Sequence, residues 1–203
     1  MAFSVFPLPE LQGRGVRLLP LTLAHEDALR AAAADGELWK IRVTSVPEPD
    51  DTRAYIETAL QMAKEGTRAP FVVFDDTGRI VGTTGYHDIL PAVRRLDIGY
   101  TFYAKSVQRS HVNTAAKLAL LTHAFEVLDC RIVGWRTDNF NHASQRAIER
   151  LGARKDGVIR GNVLRRDGTI RDTVMYSLAA GEWPEVKAHL LYLLGGYPES
   201  RKD

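Results

Sequence analysis

The stretch from Arg95 to Trp135 constrains the fold more than any other part of the chain. Arg95-Leu-Asp-Ile-Gly-Tyr-Thr-Phe102 alternates apolar and polar residues, as a half-buried strand does. After a polar connection, Leu118, Leu121, Phe125 and Leu128 recur at helical spacing and predict an amphipathic helix from about Val112 to Leu128. Ile132-Val-Gly-Trp135 then reads as a short buried strand. A strand, a helix and a second strand in succession call for a crossover, which commits the chain to a mixed α/β or α+β domain.

The remaining elements extend that sheet. Gly15 to Pro20 reads as a first strand at an edge, bracketed by Gly and Pro. Thr22 starts a helix running to Ala34, and Asp50 or Asp51 starts another that ends at Gly66, with a Pro-containing loop between them. Phe71–Phe74 and Ile80–Tyr86 flank the turn sequence Asp75-Asp-Thr-Gly78, so with Arg95–Phe102 they predict a three-stranded meander. Asn141–Leu151 is a helix stopped by Gly152, Val158–Val163 and Thr169–Leu178 form a hairpin across Arg166-Asp-Gly168, and a last helix begins at Glu182. The polar end from Pro198 to Asp203 is expected to fray.

Composition narrows the function classes. The 203 residues suit one domain, 1–203, with its core at about 11–190 and no repeat or linker. With 27 basic and 25 acidic residues the net charge is +2, and Lys and Arg are not clustered with aromatics, which argues against nucleic acid. The single cysteine, Cys130, suits a reducing compartment. The N-terminus lacks a basic start and a long apolar core, and no run approaches the ~18 apolar residues of a membrane span, so a cytoplasmic protein is expected. The six histidines show no metal-ligand spacing, and no metal is expected. His123 and His142 read as helix-surface groups, His87 as a surface-loop residue, Cys130 as a small buried side chain, and Trp135 and Trp183 as packing residues.

The connection Gln108-Arg-Ser-His-Val-Asn-Thr-Ala-Ala-Lys117 opens the long helix. A helix start offers unpaired N–H groups and the positive end of the dipole, which suits phosphate. Arg109 and Lys117 add positive charge, and Ser110, Asn113 and Thr114 add donors. A capped surface helix would have the same sequence.

The wider pattern resembles the GNAT superfamily of N-acetyltransferases and, within it, the Rim-type group that acetylates ribosomal-protein N-termini. The resembling segments are Leu96–Phe102, Asn113-Thr-Ala-Ala-Lys117, His123–Leu128, Asp138-Asn-Phe-Asn-His-Ala-Ser144 and Arg150-Leu-Gly-Ala153. Arg166-Asp-Gly168 and Glu182-Trp-Pro-Glu-Val-Lys187 are similar to bacterial members. The likeness covers about Leu11 to Leu190 and is strongest from Asp97 to Val174. It implies a central, mostly antiparallel mixed sheet of about seven strands with helices on both faces.

It also implies transfer of an acetyl group from acetyl-CoA to a primary amine in a ternary complex, an activity of the EC 2.3.1 type. The coenzyme contacts implied are backbone groups of Tyr100, Thr101 and Phe102, the loop Gln108, Arg109, Ser110, His111, Val112, Asn113 and Thr114, and Asn141. The family's loop usually has glycine where His111 and Asn113 stand, so the resemblance implies either that those side chains turn away from the phosphates or that the backbone takes a slightly different path. Asp97 matches a frequent strand acid and is the implied general base, acting through water because a carboxylate pKa near ~4 is poorly matched to an amine. His87 is the alternative base. Ser144 is the implied proton donor to the departing thiolate, since Ile148 stands where many members have tyrosine.

The acceptor expected is a peptide α-amine, whose pKa near ~8 is lower than the ~10.4 of lysine. Small amines of the antibiotic type are the alternative, and an acyl-CoA-binding sensor with little turnover is a second class of reading. The Leu-Leu-Tyr-Leu-Leu run near the C-terminus either covers the core or pairs two copies as a homodimer.

Overall fold

The computed structural model describes residues 3–195, so the expectation for Pro198–Asp203 lies outside the described residues. One mixed sheet of eight strands runs through them, in the order β1-β2-β3-β4-β5-β6-β8-β7. The strands are β1 (Leu11–Gly13), β2 (Val16–Pro20), β3 (Arg68–Asp75), β4 (Ile80–Leu90), β5 (Arg95–Tyr103), β6 (Ile132–Asp138), β7 (Arg154–Leu164) and β8 (Ile170–Ala179). The helices are α1 (Glu26–Ala34), α2 (Thr52–Lys64), α3 (Val112–Thr122), α4 (His142–Arg150) and α5 (Trp183–Leu193). The strand beyond the expected seven is β1, three residues paired with β2. Every neighbouring pair is antiparallel except β5 and β6, which are joined through α3.

Alternation along β3 divides the core into two layers. Phe71 and Val73 join the larger layer with Leu120 and Leu121 of α3, Ile148 of α4 and Leu190 of α5. Val72, between them, joins Leu29 and Ala33 of α1 and Ile56 and Ala59 of α2 on the other face. β3 and β4 are therefore buried on both sides, and the sheet lies between α1–α2 and α3–α4–α5. In the run at the end of α5, Leu190 is buried in the larger layer and Leu191 and Leu194 pack against it, while Tyr192 and Leu193 are exposed. The helix expected to reach Leu128 is α-helical to Thr122 and closes in a π turn over His123–Val127. No described helix is long and apolar enough to cross a membrane.

Candidate active site

The sheet opens at its one parallel pair. β5 and β6 are matched only at Arg95, Leu96 and Asp97 against Ile132, Val133 and Gly134. Beyond Asp97 and Gly134 the two strands separate, while β6 stays paired with β8 as far as Asp138. Thr101, in the middle of β5, is exposed for this reason. Two buried polar atoms on the separating strands, the Tyr103 hydroxyl and Trp135 Nε1, have no hydrogen-bond partner among the described residues.

β5 also carries a bulge where it borders this opening. Gly99 pairs with Gly85 of β4, and Phe102 with Thr83, so Tyr100 and Thr101 together oppose Thr84. Tyr100 takes a left-handed conformation, φ 50°, which is unusual for an aromatic residue. The extra residue reverses the alternation. Leu96 and Ile98 face α3, whereas Phe102 packs with α1 and α2 and Tyr103 returns to the α3 side.

Asp97 and His87 lie on the α1–α2 face of the sheet, paired across β4 and β5. Asp97 is 2% exposed, and burial raises its pKa against the opposing pull of Arg95, whose Nη2 is 3.5 Å from Oδ1. A β-carbon on Gly134 would overlap the Asp97 carboxylate, and one on Gly99 would overlap the His87 ring, so both glycines make room for these side chains. His87 is not the surface residue expected: it belongs to β4 and is buried. Burial, and then Arg136, depress its pKa to about 4, with Asp88 opposing. Arg136 Nη2 lies 3.2 Å from His87 Nδ1 and 2.5 Å from Asp88 Oδ2. At neutral pH the imidazole is therefore uncharged and only weakly basic.

The sequence did not single out Arg68 and Tyr55. Arg68, 1% exposed at the start of β3, donates from Nη2 to the Tyr55 hydroxyl at 2.8 Å. Its guanidinium lies 3.8 Å from the centre of the Tyr100 ring, and His87 meets the same ring edge-on at 5.2 Å. These contacts hold Tyr100 in its strained conformation. A buried Arg opening an apolar strand was the available signal.

The segment from Gln108 to Thr114 forms the entrance to α3. Gln108 Nε2 donates to the Tyr103 carbonyl at 3.0 Å, tying the loop to the end of β5. Arg109 is exposed with φ 65°. Ser110 Oγ donates to the Val107 carbonyl and accepts from the Val112 N–H. His111 is exposed, with its ring against Gly15 in the β1–β2 turn. Val112 and Thr114 are buried and Asn113 is half-buried, while Gln108, Arg109, Ser110 and His111 are all exposed ahead of the first turn of α3. Asn113 and Thr114 lie in the first turn, where helix N–H groups lack carbonyl partners one turn back.

Lys117 is elsewhere. It is 4% exposed, and Nζ donates to Thr84 Oγ1 at 2.7 Å and Thr101 Oγ1 at 2.9 Å, so its charge is not in the loop where the sequence reading put it. The cause is helical phase: Lys117 shares a face with Leu121 and points into the sheet. His123 is also buried rather than surface-exposed, stacked on Tyr86 at 6.0 Å with Nδ1 3.2 Å from the Tyr86 hydroxyl.

Asn141 is the N-cap of α4, where its Oδ1 accepts from the Ser144 N–H at 3.0 Å. Its Nδ2 donates to the Val43 carbonyl at 3.3 Å, so one amide both caps α4 and ties down the α1–α2 connection. Ser144 is half-buried in the first turn, and Ile148 packs into the core. Cys130 is buried and its thiol is pushed up to about 12 by that burial. Trp135 is buried in the core, and Trp183 stacks on Phe125 at 5.3 Å.

Comparison with known proteins places this geometry in a family. A family model for the acetyltransferase (GNAT) domain matches residues 16–154. A crystal structure of a candidate acetyltransferase from T. thermophilus is 36% identical, covers 93% of this chain and 99% of its own, and has a TM-score of 0.81. YdaF of Bacillus subtilis (strain 168), named as a candidate ribosomal N-acetyltransferase, is 33% identical over 106 residues, 52% of this chain and 57% of YdaF. The chain thus spans about half the length of the curated relatives it matches. Mycobacterium smegmatis RimJ in complex with CoA-disulfide shares the fold, with a TM-score of 0.76, 21% identity and coverage of 92% of this chain and 93% of its own.

Proposed function

The chain belongs to the GNAT acetyltransferase family, and on that premise we propose that it transfers an acetyl group from acetyl-CoA to a primary amine, preferably a peptide α-amine. The observation that carries this reading is the opening between β5 and β6 beside a bulged strand. Strands that separate leave backbone N–H and C=O groups unpaired, and such groups are fixed partners for the amides of a pantetheine arm. The bulge at Tyr100–Phe102 is the segment proposed to polarise the thioester carbonyl.

The remaining roles follow the chemistry. The first-turn N–H groups of Asn113 and Thr114, with Arg109 beside them, bind phosphate. Gln108, Ser110, His111 and Val112 shape that turn, and Asn141 sets the start of α4. Asp97, its pKa raised by burial, accepts the amine's proton through water, which suits a carboxylate better the closer its pKa lies to neutrality. The neutral amine attacks the acetyl carbon, the C–S bond breaks, and Ser144 supplies a proton to the departing thiolate. RimJ is described bound to a CoA-disulfide, and YdaF is named for a ribosomal substrate; both are consistent with a coenzyme substrate and a protein N-terminus as acceptor.

An acyl-CoA-binding domain with little turnover is the second reading. It is favoured by Asn141, whose two polar ends are both engaged within the chain, and by Ile148 in place of a phenol. Titration calorimetry with acetyl-CoA tests both readings, and absence of binding at millimolar ligand would end both. Thiol release against a panel of N-terminal peptides, lysine peptides and small amines then separates enzyme from sensor and ranks the acceptors.

A further inference from the structure

Lys117 is a buried cation that the reaction outlined above does not use. It lies on the α3 face of the sheet, under the bulge. Its two hydrogen-bond acceptors, Thr84 Oγ1 on β4 and Thr101 Oγ1 on β5, are 2.8 Å from each other. Thr101 also bonds the Gly99 carbonyl at 3.3 Å, so the network reaches both sides of the bulged residue Tyr100. Thr101 is at the same time exposed at the opening, so Lys117 stands directly behind a residue of the cleft wall.

Burying a cation without a carboxylate is costly, and a core position is filled more cheaply by Met or Leu. Burial is the sole cause of the depression of the Lys117 pKa to about 7, with no charged group contributing. Its surroundings agree. β1 and β2 contribute Leu11, Val16 and Leu18 to this layer, and α5 contributes Val186 and Leu190. The titratable groups buried on this face include Tyr86 of β4, Tyr103 of β5, Tyr176 of β8, His123 after α3 and Cys130 before β6, and burial shifts each toward its neutral form.

We propose that Lys117 is a positioning residue for acetyl transfer, clamping Thr84 to Thr101 so that the Tyr100–Phe102 backbone keeps its angle toward the thioester carbonyl. The inference rests on the acetyltransferase reading. Three donors on a short tether can span two strands where the ladder between them is broken, which a neutral aliphatic side chain cannot do. The ammonium form is the stronger clamp, because charge-assisted hydrogen bonds exceed neutral ones.

The test uses the full chain with acetyl-CoA and the best amine from the acceptor panel. Lys117→Met is expected to lower kcat tenfold or more, with CoA affinity by calorimetry changed less than threefold. The wild-type kcat profile should contain a descending limb near pH 7, as the ammonium is lost, and Lys117→Met should lack it. Lys117→Arg should recover part of kcat without that limb. Thr101→Val, nearly isosteric, should lower kcat similarly, and adding it to Lys117→Met should cost little more. Wild-type kcat in Thr101→Val overturns the proposal, even where Lys117→Met does not fold. So do fully additive losses, or parallel losses of kcat and CoA affinity. A wild-type chain that neither binds CoA nor releases thiol fails at the premise; one that does both, matched by Lys117→Met, removes only this inference.

Discussion

Asp97 and Lys117 reach opposite faces of the same bulged region, and burial pushes each toward its uncharged form. For Asp97, the proposed role requires the carboxylate, so kcat should fall as pH drops through a pKa that burial raises from its ordinary value. Asp97→Asn is expected to remove that acidic limb and lower kcat by about 100-fold. Ser144→Ala should lower kcat with CoA affinity nearly unchanged. Stopped-flow thiol release across pH checks both, and wild-type rates in both variants would refute the assignment. Lys117 makes a separate stability prediction. Folded, it releases its proton near pH 7, while the unfolded chain holds the proton to near 10.5, so the unfolded state binds more protons between them. This group's contribution to stability therefore rises with pH over that interval. Lys117→Met should be more stable than wild type by about 1–4 kcal/mol at pH 6.5, and the gap should narrow by pH 9.5. Urea unfolding of both proteins at the two pH values decides it; parallel curves would be the contrary result. Both residues stand in the sequence in plain view, but a lysine near a helix start reads as charge for the loop, whereas the helical phase of α3 turns Lys117 into the sheet.

At the level of elements, the strands and helices were legible where periodicity was strong. The Phe71–Phe102 meander, the long helix before β6 and the helix stopped at Gly152 all form. β1 was missed because three residues carry no periodic signal. The bulge was not legible, since Gly99-Tyr100-Thr101 has glycine beside the left-handed position rather than at it. Arg68 and Tyr55, far away in sequence, hold Tyr100 there, and such support is a tertiary effect. Asn141 was legible as a cap, but its bond to Val43 was not. Asn141→Ala should therefore cost more than a cap alone, at least ~1 kcal/mol by urea unfolding. It should also increase amide exchange in the α1–α2 connection near Val43 as well as in α4. Exchange confined to α4 would show that the second bond contributes nothing.

For the whole molecule, the two-layer core with the sheet between α1–α2 and α3–α5 leaves a single parallel seam, and the proposed coenzyme would bind along it. A ligand bound only by the folded chain stabilises it by mass action, about 2.7 kcal/mol at 100-fold excess over Kd. Thermal unfolding should therefore shift upward with acetyl-CoA and continue to rise logarithmically beyond saturation; an unchanged midpoint would contradict binding. The order of elements, the crossover between β5 and β6, and the family likeness were all determined by the sequence alone, because hydrophobic period and turn chemistry are local properties. The opening of the sheet, the exposure of Thr101, and the burial of His87, Arg68 and Lys117 were decided only by tertiary structure. They depend on where β5 leaves β6, on which face of the sheet each strand residue meets, and on the helical phase of α3, none of which is a local property of the sequence.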